Sequence, residues 1–64
     1  MEQINRIRDQ LGITVVDFVK QIGISRDTYY KWLRHERKPK FEHIAKMCDV
    51  LELDVLEVVK EIYK

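Results

Sequence analysis

Sixty-four residues, 45% of them apolar and 36% charged, suffice for one small domain and leave no room for a second core or a lid over a large substrate cleft. Twelve basic against eleven acidic residues give a net charge of +1, which with the apolar content argues against disorder. No apolar run approaches the ~18 residues of a membrane span, and Met1 to Arg6 lack the hydrophobic stretch of a signal peptide, so the expectation is a soluble, cytoplasmic protein with residues 1–64 as its single domain.

Only Pro39, Gly12 and Gly23 interrupt a pattern of apolar residues at three- and four-residue spacing, which predicts an all-α chain. Ile4, Ile7 and Leu11 line one face of a first helix, ended by Gly12 because glycine takes the left-handed conformation readily. Thr14 caps a second helix, with Asp17 near the positive end of its dipole and Phe18, Val19 and Ile22 on its inner face, and Gly23 stops it. Ser25 caps a third helix that carries Tyr29, Trp32 and Leu33 inward. After the break at Pro39, the residues Phe41, Ile44, Ala45, Cys48 and Leu51 mark the inner face of a fourth. Asp54 opens a fifth, whose stripe is Val55, Val58, Val59 and Ile62 with Leu56 and Tyr63 beside it. No repeat, linker or low-complexity tract is present.

The stretch from Val15 to Arg34 therefore reads as two short helices meeting across a tight turn, a helix-turn-helix at helices two and three. The order Phe18-Val19-Lys20-Gln21-Ile22-Gly23-Ile24-Ser25-Arg26, then Thr28, Tyr29, Lys31 and Trp32, then Arg37-Lys38-Pro39-Lys40-Phe41, resembles the Cro/cI (XRE) family of phage and bacterial repressors over nearly the whole chain. That resemblance implies a compact five-helix, lambda-repressor-like domain whose third helix enters the major groove of double-stranded DNA, as one half of a two-fold dimer. Charge supports this independently. Residues 25 to 40 hold six cations against Asp27 and Glu36, residues 1 to 24 are balanced, and residues 41 to 64 carry a net −3. A cationic stretch on and after the third helix is what phosphate neutralisation requires.

With Tyr29, Trp32 and Leu33 inward, Arg26, Asp27, Tyr30, Lys31 and Arg34 fall on the other faces of that helix. By correspondence with the family, Arg26, Asp27, Tyr30 and Lys31 stand where side chains reach base edges. Arg26 and Lys31 suit guanine, Asp27 a cytosine amine and Tyr30 a thymine methyl. For all four the plainer alternative is a solvated helix face, and Asp27 also suits the helix N-terminus or the orientation of Arg26. Thr14, Ser25, Arg34, His35, Arg37, Lys38 and Lys40 are the expected phosphate contacts. Where the family commonly has a glutamine that anchors a phosphate and braces the third helix, this chain has Val15, which can do neither. Leu33 and His35 likewise replace a common Glu and Gly.

Trp32, Phe18 and Phe41 are expected in the core rather than as base-stacking groups, because each lies on an inner stripe. Cys48 reads as a small buried hydrophobe with no base spaced to activate it, His35 as an exposed loop residue and His43 as a helix-surface residue. No disulfide, metal site, cofactor, small-molecule ligand or membrane contact is expected, nor an enzyme, since no nucleophile, paired acid or ligand cluster appears. The fifth helix holds more apolar residues than a core of this size needs, so Val55, Leu56, Val59, Ile62 and Tyr63 are the expected homodimer interface. The alternative is that they pack internally. The function implied is sequence-specific DNA binding by a transcriptional regulator, a repressor that occludes a promoter at a palindromic operator, since so short a chain has no domain for recruiting polymerase or sensing a ligand. The second reading is a protein-interaction module that keeps the scaffold and captures another regulator through the last helix or the Val15-Val16 surface.

Overall fold

The computed structural model describes residues 1–63, which form five helices with no strand among them. They are α1 (Glu2–Gln10), α2 (Val15–Ile22), α3 (Arg26–Leu33), α4 (Phe41–Leu51) and α5 (Val55–Ile62). α4 is the central element, packing on α1, α2 and α5, while α2 packs on α3. The core draws on every helix: Ile4 from α1, Phe18, Val19 and Ile22 from α2, Tyr29 and Trp32 from α3, Ile44, Met47, Cys48 and Leu51 from α4, and Val58 from α5. No helix among the described residues is long and apolar enough to cross a membrane.

The expected caps form. Thr14 accepts from the Asp17 amide at 3.2 Å, Ser25 from that of Thr28 at 3.1 Å and Asp54 from that of Leu56 at 2.9 Å. Each satisfies a backbone donor that the first helical turn leaves orphaned.

The helix ends repeat one device. Gly12 after α1, Gly23 after α2, His35 after α3 and Glu52 after α4 all have positive φ, at 76°, 87°, 62° and 57°. In each the following amide reaches back to the last turn: Ile13 to the Arg8 carbonyl, Ile24 to Val19, Glu36 to Lys31 and Leu53 to Cys48, at 2.8–3.2 Å. This is the left-handed C-terminal turn that satisfies the final helical carbonyls. Two of the four positions are filled by residues with a Cβ.

Two expected core residues lie outside. Phe41 is 60% exposed, because the buried arc of α4 centres on Ile44, Met47, Cys48 and Leu51, rotated toward Met47, and Phe41 at the first turn projects past its edge. Leu11 is 57% exposed. It follows the last residue of α1, where the turn through Gly12 carries the chain away and Ile13 packs against the core instead. His43 is not a plain surface residue either: it is half-buried, its ring 5.4 Å from that of Trp32, and its Nδ1 is buried without a partner among the described residues. Trp32, Phe18 and Cys48 are buried as expected.

Candidate nucleic-acid interface

α3 is anchored by its inner face. Tyr29 is fully buried, its ring edge-on to Phe18 at 5.8 Å and to Trp32 at 6.5 Å. Side chains three or four residues apart share a helix face, so this anchorage turns the opposite side of α3 outward. There Arg26, Asp27 and Tyr30 are exposed and Lys31 is half-buried. Arg26, the first residue of α3, forms no ion pair among the described residues. Lys31 Nζ lies 3.2 Å from Asp27 Oδ2, one turn away. Such a solvent-exposed pair contributes only ~0.3–0.5 kcal/mol, so a phosphate oxygen or a base acceptor can compete for Lys31 and a base amine for Asp27.

Beyond α3, Arg37, Lys38 and Lys40 stand with Thr28, Trp32 and His43 around one open cleft of about 500 Å³. Three cations around one cleft, against the Thr28–Trp32 flank of α3, give a concentrated positive field in which phosphate oxygens gain most. Arg34 is paired with Glu36 instead, and His35 Nε2 lies 3.9 Å from Glu2 Oε1. Thr14 and Ser25 use their hydroxyl oxygens as cap acceptors, and Ser25 Oγ also lies 2.9 Å from Thr28 Oγ1. Val15 is half-buried and packs against the core, leaving Val16 as the exposed apolar residue at the start of α2.

On α5 the five expected interface residues divide. Val55, Val59 and Ile62 are half-buried and pack on the chain's own core. The Tyr63 hydroxyl donates to the Pro39 carbonyl, and Lys38 Nζ stands 5.5 Å from the centre of its ring, so Tyr63 braces the cationic loop. Leu56, 70% exposed, faces outward, and Tyr63 is also exposed beyond its loop contacts.

Sequence spacing missed one polar cluster. Arg8 is only 8% exposed and lies on the inner stripe of α1, at the four-residue step after Ile4. Its Nε and Nη2 donate to Asn5 Oδ1 at 3.2 and 3.1 Å, its Nη1 donates to the Ile13 carbonyl, and the Tyr29 hydroxyl donates to the same Asn5 oxygen at 2.9 Å. No carboxylate pairs with this guanidinium among the described residues. A charged residue in phase with an apolar stripe was the available signal. Burial pushes the Tyr29 phenol above its ordinary range, against the opposing pull of Arg8, and burial followed by the Asp54 charge pushes the Cys48 thiol up.

No curated protein and no solved structure shows a significant match to the chain. A family profile described as Helix-turn-helix matches residues 4–58, from the first core residue of α1 to the buried Val58 of α5. With α2, the Gly23 turn and α3 arranged as that motif requires, the chain belongs to the Cro/cI (XRE) type of helix-turn-helix family, a family of DNA-binding regulators.

Proposed function

We infer that the protein is a sequence-specific regulator that lays α3 in the major groove of double-stranded DNA. The observation carrying this is the outward face of α3, with Arg26, Asp27, Tyr30 and Lys31 exposed or half-exposed beside the cleft rimmed by Arg37, Lys38 and Lys40. Arg26 and Lys31 read guanine, Asp27 accepts from cytosine and Tyr30 packs on a thymine methyl. Thr14, Ser25, Arg34, His35 and the three rim cations hold the phosphates and set the register. With Val15 packed inward, the start of α2 offers the phosphate its backbone amides and the Thr14 hydroxyl, with no side-chain clamp from position 15.

One chain carries a single candidate recognition helix, α3, and successive major-groove faces lie ~34–36 Å apart. Two recognition helices one turn apart therefore require two copies, related by a two-fold axis through α5 around Leu56, on a palindromic operator. Bound across a promoter, such a dimer represses by occlusion. A second reading, capture of another regulator through the last helix or the Val15-Val16 surface, draws on the exposed Leu56 and Val16.

Selection of bound sites from a random duplex pool tests these readings together. A palindromic consensus is expected for the two-fold reader, a single unrepeated half-site would reject the dimer, and enrichment of no sequence would reject base reading in favour of protein capture.

A further inference from the structure

We propose that Asn5, Arg8 and Tyr29 are positioning residues that fix the rotation of α3 about its own axis and so set base discrimination. The proposal rests on the reading of α3 as the recognition helix.

Ring packing turns one face of α3 inward but supplies no directional bond to fix its exact rotation. The Tyr29 ring is held by edge contacts with Phe18 and Trp32, which a phenylalanine ring would make equally well. Its hydroxyl adds a directional bond to Asn5, a residue 24 positions away on α1. Asn5 Oδ1 is itself held by the flat fork of the Arg8 guanidinium, whose remaining arm grips the Ile13 carbonyl in the loop before α2. α1 and α3 are thereby tied at one oxygen atom, Asn5 Oδ1, and Arg8 extends the tie to the α1–α2 loop through the Ile13 carbonyl. At a helix radius of about 5–6 Å, a rotation of 10° moves the reading side chains about 1 Å. That exceeds the ~0.5 Å within which a recognition constellation must be held.

Arg8 is a buried cation whose acceptors are all neutral, an expensive arrangement that an apolar residue on the same stripe would avoid. Removing the Tyr29 hydroxyl leaves Asn5 Oδ1 satisfied by its two guanidinium donors, so Tyr29→Phe loses direction while leaving no buried polar atom stranded. That separates orientation from stability.

The test compares wild type, Tyr29→Phe and Arg8→Lys, the last keeping the charge and losing the fork. Affinity is measured for a duplex selected by the wild type and for its scrambled counterpart, across a salt series, alongside amide hydrogen exchange in the free protein. Tyr29→Phe is expected to discriminate about tenfold less, with scrambled-duplex affinity and salt slope unchanged and with exchange faster in α3 than in α4 relative to wild type. Arg8→Lys should move the same way, which keeps the question open to measurement if one variant folds poorly. A selected-to-scrambled ratio within about twofold of wild type in both variants overturns the proposal. If wild type itself discriminates no sequence, base reading fails separately. The node then stands on faster α3 exchange in Tyr29→Phe and falls if exchange is unchanged.

Discussion

Glu52 occupies a left-handed turn at the end of α4, with φ 57° and ψ 44°, a conformation that a Cβ makes costly. Replacing it with glycine removes roughly 1–2 kcal/mol of backbone strain from the folded state. The looser unfolded chain takes back about 0.4–1 kcal/mol. Loss of a carboxylate from the negative end of α4, beside Asp49 and Asp54 in the chain, returns a few tenths. The net gain is about 1 kcal/mol, or ~4–8 °C in Tm for a domain of this size. Thermal and urea unfolding measure it, with Glu52→Gln removing the charge alone. The reciprocal change is Gly23→Ala, where an added Cβ meets no atom within 4 Å and φ is +87°, so any loss is backbone conformation rather than collision. It should cost about 1 kcal/mol. If Glu52→Gly were neutral or destabilising while Gly23→Ala was tolerated, the shared account of the helix-ending turns would be wrong.

Arg26→Ala should weaken the selected duplex by ~1–3 kcal/mol and relax selectivity at one base pair, whereas Lys38→Ala should weaken all duplexes alike and lower the salt slope by about one unit. Equal loss on selected and random DNA for Arg26→Ala would remove it from base reading. Tyr29 and Cys48 are raised in the folded state, so their contribution to stability is present below the unfolded values, ~10 and ~8.5, and is lost as pH climbs through the folded ones. Urea midpoints should therefore fall above about pH 8.5, with Cys48→Ala blunting the earlier part of the decline and Tyr29→Phe the later. If the proposed two-fold pairing through α5 forms, Leu56→Lys should leave a monomer in sedimentation while keeping the unfolding free energy within about 0.5 kcal/mol of wild type. An unaltered dimer would move the two-fold axis away from α5.

The fold was readable wherever one residue settles a local conformation. Thr14, Ser25 and Asp54 mark helix starts because their side-chain oxygens suit orphan amides, and Gly12 and Gly23 mark ends because they accept positive φ. His35 and Glu52 hid the same turn, which backbone hydrogen bonds impose on whatever residue falls there. The outward face of α3 followed from the spacing of Tyr29 and Trp32. Phe41 and Leu11 were misplaced because periodicity gives a helix's inner arc without saying where its neighbours stop covering it. The Tyr63 bond to Pro39 and the Tyr29 bond to Asn5 each span 24 residues, and no local pattern announces such a contact.

The most direct test is titration of isotope-labelled protein with a selected duplex, followed by amide and side-chain NMR. Shifts and intermolecular contacts should concentrate on Arg26, Asp27, Tyr30 and Lys31 with bases, and on Arg37, Lys38 and Lys40 with phosphates. Met47 and Val58, buried on the far helices, should stay in place. Contacts centred on α5 or the Val15-Val16 surface, with α3 undisturbed, would contradict the assignment of α3 as the reading helix.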